Sequence, residues 1–187
     1  MPERSSLPSG NVQQVATGLW FVGWGSFWVQ AALGTVSSLT LAFAVLALNG
    51  QTNASNIERG AGVSFAFGGL IALYLGIFWA FRYTRIAQQL RGGSAGGRPK
   101  KAETLKLLQI GIIINLVGML LIIVASEAVV GALFLKTASQ SQGVILTEQS
   151  NIVNSIDILV VLATTNAIAA HYAGLATSLW LLWRTTR

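Results

Sequence analysis

The chain has 187 residues, of which 53% are hydrophobic and only 10% are charged. A water-soluble domain carries about 25% charged residues, so this composition excludes an ordinary aqueous surface and makes lipid the solvent. The formal net charge of +6 does not point to nucleic acid, because the basic residues gather where membrane topology wants them.

A helix crossing a hydrocarbon core of ~30 Å needs ~20 mostly apolar residues. Four stretches qualify, 19–48, 61–81, 105–135 and 156–183, and all three prolines lie outside them. The fold class is therefore all-α: a polytopic membrane protein built as a four-transmembrane-helix bundle, residues 19–187. The first and third stretches are long enough to tilt or to continue into the interface. Residues 1–18 form a polar tail without the apolar core of a secretory signal or the arginines of an organellar transit peptide. The expectation is a bacterial protein that inserts through its own first helix.

In the first span, Trp20, Trp24 and Trp28 recur every four residues, a helical stripe of the kind that anchors a helix at the headgroups. Trp28 lies deep for that role. Gln30 shares a face with Gly23 and Ser37, each seven residues away. A short polar turn follows, whose Asn53-Ala54-Ser55 triplet matches a glycosylation sequon only by chance. The second span carries Gly62, Gly69 and Gly76 at seven-residue intervals. Seven residues drift only ~20° on a straight helix, so these glycines form one groove, and small residues in register let helices approach closely in lipid.

Between spans two and three lies a basic loop, 82–104, with Arg82, Arg85, Arg91, Arg98, Lys100 and Lys101 against Glu103 alone. The other connections hold one basic and one acidic residue each, Arg59 with Glu58 and Lys136 with Glu148. Lysine and arginine in short loops mark the cytoplasmic side. The loop is thus expected in the cytoplasm, and both termini with it. Its charge suits anionic headgroups, and its glycines fit no phosphate-binding pattern.

Span three sets Gly111, Asn115, Gly118 and Ser126 near one face, with Asn115 suited to an interhelical hydrogen bond. Glu127 and Lys136 stand nine residues apart, on opposite sides of the helix. In span four, Asp157, Thr164, His171 and Ser178 recur every seven residues, a polar stripe roughly 31 Å long. Ala170, Gly174 and Ser178 follow at four-residue spacing, so His171, the single histidine, belongs on an internal seam. Asn166 lies on the same helix.

An ionisable residue inside a membrane is a functional candidate by default. Its plainest alternative is a packing histidine with satisfied hydrogen bonds, for which His171→Gln is expected to be silent and His171→Leu destabilising. Asp157 and His171 are ~21 Å apart along their helix, too far to share a metal or to build a hydrolytic triad. With no cysteine there is no thiolate site. No hydrolase or metalloprotease motif occurs, so no enzyme and no bound cofactor are expected. The proline-free spans also lack the broken helices of many secondary transporters.

Five segments, "GWGSFWVQ" (23–30), "IFWAFRYTRIAQQLR" (77–91), "IGIIINLVGMLL" (110–121), "EAVVGALFLK" (127–136) and "NAIAAHYAGLATSLWLL" (166–182), carry a recognisable combination. In order and spacing the chain resembles a cyanobacterial and plastid family of four-span membrane proteins. Its plant member is the chloroplast inner-envelope "permease in chloroplasts", also described as a small subunit of the inner-envelope protein-import translocon.

The resemblance implies a transport-related role, in a cyanobacterial plasma or thylakoid membrane. One reading is an iron or metal-ion permease, or a permease subunit, with Gln30, Asn115, Glu127, Asp157, Asn166 and His171 as candidate path residues. The other is a translocon-associated or assembly subunit with no transport of its own, docking through the faces of Gly62, Gly69, Gly76, Gly111, Gly118 and Gly174. The expected partners are membrane lipids and either further copies of the chain or a larger membrane complex.

Overall fold

The computed structural model describes residues 9–49, 56–91, 101–138 and 155–186, all of them helical. The four helices are α1 (Ser9–Asn49), α2 (Asn56–Arg91), α3 (Lys101–Ala138) and α4 (Ser155–Thr186). Each contains a segment long and apolar enough to cross a membrane: Ala16–Ala47, Gly62–Leu90, Lys101–Leu135 and Ile156–Thr186. The architecture is the all-α membrane bundle that the composition requires.

The helices outrun the apolar stretches. α1 begins at Ser9, so much of the polar tail is already helical. α2 continues through Arg82 and Arg85 to Arg91, and α3 opens at Lys101. The expected loop 82–104 therefore shrinks to the stretch 92–100, which holds Arg98 and Lys100 and lies outside the described residues. Arginine, glutamine, lysine and leucine are strong helix formers, so the helix persists after the hydropathy has fallen. Apolarity marks where lipid ends, not where the helix ends.

α1 and α3 each pack against both α2 and α4, and α2 and α4 also meet across the bundle, whereas α1 and α3 do not. The inner faces follow a seven-residue beat on every helix. Ala16, Gly23, Gln30, Ser37 and Ala44 are buried on α1, and Gly62, Gly69, Gly76 and Tyr83 on α2. On α3 the series is Thr104, Gly111, Gly118 and Ala125; on α4 it is Asp157, Thr164, His171 and Ser178. A sustained seven-residue repeat keeps one seam facing the partner helices through a left-handed supercoil. Lipid gives no hydrophobic reward for helix association. Close contact at small residues supplies the attraction instead.

Two apolar clusters cap the polar middle. Leu41, Leu73, Ile122 and Val160 belong to one, and Leu19, Leu108 and Leu181 to the other, at the arginine-rich end. Large apolar side chains such as Phe43, Leu46, Phe134 and Leu135 face outward, as a lipid solvent allows. Trp28 also faces outward, 62% exposed and stacked on Trp24 at 6.0 Å, so its depth reflects lipid contact and not an internal role.

At the arginine-rich end, the Arg82 guanidinium stands over Trp79 and that of Arg85 over Phe81, each at 5.1 Å. Arg184 stands over Trp180 at 5.3 Å. These pairs hold the cations at the rim, where their stems lie along apolar surface. Arg82, Arg85 and Glu103 also line a groove between α2 and α3.

A Cβ on Gly69 would run into the Ile122 side chain and stand 3.3 Å from the Gly118 carbonyl oxygen. Gly69→Leu is therefore expected to destabilise the bundle by about 1–3 kcal/mol, the usual cost of overpacking. Reversible unfolding in mixed detergent micelles measures it.

Candidate functional site

The buried polar side chains form a column along the bundle axis. At its arginine-rich end, Ser178 on α4 donates to the Gly174 carbonyl at 2.8 Å. It accepts from the Tyr83 hydroxyl of α2 at 3.0 Å. Gly111 on α3 makes the room, since a Cβ there would overlap the Tyr83 hydroxyl.

One turn further in, all four helices contribute to one level. Gln30 from α1 and Asn115 from α3, only 1% and 2% exposed, reach toward each other over Gly76 of α2 and Gly174 of α4. A Cβ on Gly174 would stand 2.5 Å from Asn115 Oδ1 and 2.8 Å from Gln30 Nε2. A Cβ on Gly76 would stand 3.0 Å from Asn115 Oδ1 and 3.1 Å from Gln30 Oε1. The two amides thus bridge the diagonal that the α1 and α3 backbones leave open. Gln30 Nε2 donates to Ser26 Oγ at 2.8 Å, and Asn115 Nδ2 donates to the Gly111 carbonyl at 2.9 Å.

His171 sits at the next level, fully buried, with its ring against Gly118. Its Nε2 lies 3.1 Å from the Gly69 carbonyl oxygen, and its Nδ1 lies 3.3 Å from Asn115 Oδ1. Beyond it Thr164 stands 3.4 Å from Ser126 Oγ, and Ser37 donates to the Ala163 carbonyl at 2.6 Å. Asp157 ends the column, buried in the first turn of α4, where the helix dipole favours a carboxylate.

The structure brings Gln30, Asn115 and His171 together, with Gly69, Gly76, Gly111, Gly118 and Gly174 making the space they occupy. Gly62 packs apart from them, on Val129 and the Ala125 carbonyl. Glu127 does not join the column: it lies on the exposed face of α3, away from the residues grouped with it from sequence. Asn166 is half-buried at the flank. Arg82, Arg85 and Lys101 are exposed at the basic end; Arg91 closes α2. Tyr83 and Ser26 are column members that sequence reasoning misses. Tyr83 has a signal, being the next member of the series Gly62, Gly69, Gly76.

Four spanning helices closed around an axial polar column define an integral membrane protein. The chain belongs to the family described as "Protein of unknown function (DUF3611)", whose model matches residues 9–186. It is similar to "Protein TIC 21, chloroplastic" of Arabidopsis thaliana, with 29% identity over 196 residues. That match covers 97% of this chain and 64% of the relative, so the chain spans less than two thirds of the relative's length. No solved structure matches. The chloroplast relative agrees with the resemblance carried by the five segments.

Proposed function

We propose that this protein serves transport across its membrane, as a permease or permease subunit for iron or another metal ion. The observation that carries the reading is the axial column, from Tyr83 and Ser178 through Gln30, Asn115 and His171 to Thr164 and Asp157, all buried. Polar and ionisable groups inside a membrane are expensive, and where they occur they mark substrate pathways. The column is closed in this conformation. Conduction then requires the helices to part along it, or further copies or partner subunits to widen it. The host membrane under this reading is a cyanobacterial plasma or thylakoid membrane, and the protein performs no covalent chemistry.

A second reading is a translocon-associated or assembly subunit that transports nothing itself. It is favoured by the glycine contacts, which serve helix packing, and by the ligand inventory. Among the described residues no three of His, Cys, Asp and Glu gather where they would hold a metal. Purified protein in liposomes loaded with an iron-sensitive dye separates the two. A permease gives Fe(II)-dependent quenching above that of empty vesicles; a purely structural subunit gives none.

The proposed orientation, both termini cytoplasmic, rests on the charge of the connections. Cysteines introduced at Asn53 and Gln142, positions outside the described residues, should react with an impermeant maleimide added to intact cells. A cysteine at Ser94, also outside them, should react only after lysis. The reverse pattern inverts the topology.

A further inference from the structure

At the arginine-rich end, one stripe of α2 and the start of α3 enclose a groove of about 560 Å³. Pockets that hold small molecules measure ~300–1,000 Å³. Its α2 wall includes Phe78, Arg82, Arg85 and Gln89, at the three- and four-residue steps that align side chains on one helix face. The wall is ~16 Å long at helical rise, and its chemistry changes in order. Phe78 stands farthest from the helix end and is 54% exposed, and Leu107 of α3 adds to the apolar lining. The two guanidiniums follow. Gln89 stands nearest the helix end, and Glu103 lines the groove from the first turn of α3. Apolar, then cationic, then hydrogen-bonding is also the order of acyl chain, phosphate and headgroup in a phospholipid beside the bundle.

Both guanidiniums are held in place by rings. Trp79 Nε1 donates to the Leu107 carbonyl at 3.1 Å, which pins the indole across the α2–α3 seam, and Arg82 stands over that indole at 5.1 Å. Arg85 stands over Phe81 at 5.1 Å. A guanidinium stacked by its face keeps its N–H groups free in the plane, and that planar fork matches phosphate oxygens. Side chains ordered beforehand lose less freedom when a ligand arrives. Two cations against the carboxylate of Glu103 leave the lining net positive.

We propose that this groove binds one anionic phospholipid whose headgroup carries hydroxyls, of the phosphatidylglycerol type. Arg82 and Arg85 donate to the phosphodiester, Gln89 and Glu103 meet the headgroup hydroxyls, and Phe78 and Leu107 take the start of an acyl chain. Basic pockets between spanning helices are suited to anionic headgroups in general. Glu103 narrows the choice, because a carboxylate accepts from a hydroxyl and repels the carboxylate of a serine headgroup. An acidic peptide would match the guanidiniums but not the apolar end, where Phe78 borders hydrocarbon. The bound lipid ties α2 to α3 at the rim, whatever the protein transports.

The test uses the full chain, stripped of lipid in detergent micelles and titrated with single lipids of matched chains, with binding read by native mass spectrometry. Wild-type protein is expected to hold its first phosphatidylglycerol at least tenfold more tightly than phosphatidylcholine. Arg82→Gln/Arg85→Gln should weaken that binding at least tenfold. Lys101→Gln/Lys106→Gln removes the same number of charges from exposed residues of α3 that do not line the groove, and should stay within about threefold of the wild type. No preference in the wild type, or equal losses in the two double variants, overturns the site in favour of general attraction to a basic rim. Millimolar inorganic phosphate at constant ionic strength should leave the lipid bound; its displacement overturns the lipid and leaves a simple anion site. Wild-type protein should also prefer phosphatidylglycerol to phosphatidylserine, and Glu103→Gln should abolish that preference. A preference that persists in Glu103→Gln overturns the choice of headgroup.

Discussion

Gly118→Leu is expected to lose far more stability than the exchange of Gly131 for leucine on the same helix. A Cβ on Gly118 would overlap the His171 ring and stand 2.8 Å from the Ala72 Cβ. Neither neighbour is the free end of a flexible chain, so the ring must leave the Gly69 carbonyl or the helices must part. Overpacking alone costs about 1–3 kcal/mol. Loss of the interhelical hydrogen bond adds roughly 0.6 kcal/mol, the average for such bonds in membranes. Gly131 is the matched control on the same helix, since a Cβ there meets nothing within 4 Å. Gly131→Leu should leave stability unchanged or slightly raised, because leucine is the better helix former. Unfolding midpoints of the two variants that coincide would mean that the histidine is not seated against Gly118.

His171 itself gives the second large effect, this time on flux. Under the proposed function, His171→Leu and His171→Gln should each lower Fe(II) uptake at least tenfold, because neither side chain supplies an imidazole nitrogen. Their stabilities should differ. Leucine forfeits the bond to the Gly69 carbonyl, roughly 0.6 kcal/mol, whereas a glutamine amide can donate to that oxygen and restore most of it. Uptake is best followed across roughly pH 5 to 8, the range in which imidazole ordinarily changes charge. A wild-type profile that bends in this range and a His171→Gln profile that is flat would tie the bend to the ring. If both variants transport like the wild type and only His171→Leu loses stability, His171 is a packing residue and the path lies elsewhere.

Much of this arrangement is legible in the amino-acid sequence alone. The seven-residue spacing of Asp157, Thr164, His171 and Ser178 places them on one face whatever the partners are, and all four are buried. The same holds for Gly62, Gly69 and Gly76, because periodicity within a helix is a property of one continuous stretch of residues. Contact between helices is not. That Gln30 meets Asn115, and Tyr83 meets Ser178, depends on the axial register of α1, α2, α3 and α4 against one another, which no single helix encodes. Glu127 shows the same limit. It directly follows Ser126 in sequence, yet one residue is a turn of 100° on a helix, and that rotation puts it on the outer face. The extent of α1 and α2 is hidden for another reason, since a polar sequence of good helix formers looks like a tail or a loop to a hydropathy scan.

The shared seven-residue beat also sets what kinds of change this chain can survive. A single residue inserted in any span would rotate everything beyond it by about 100°, turning amides and imidazole toward acyl chains and phenylalanines toward the axis. Inserting seven restores the phase to within ~20° and shifts the inner face lengthwise by one repeat. Length variation is therefore expected to collect between the helices and to enter a span, if ever, in steps of seven. Outward positions, answerable only to lipid, are free to drift among apolar residues of any shape. Relatives should thus preserve a rhythm along each helix far better than they preserve its letters.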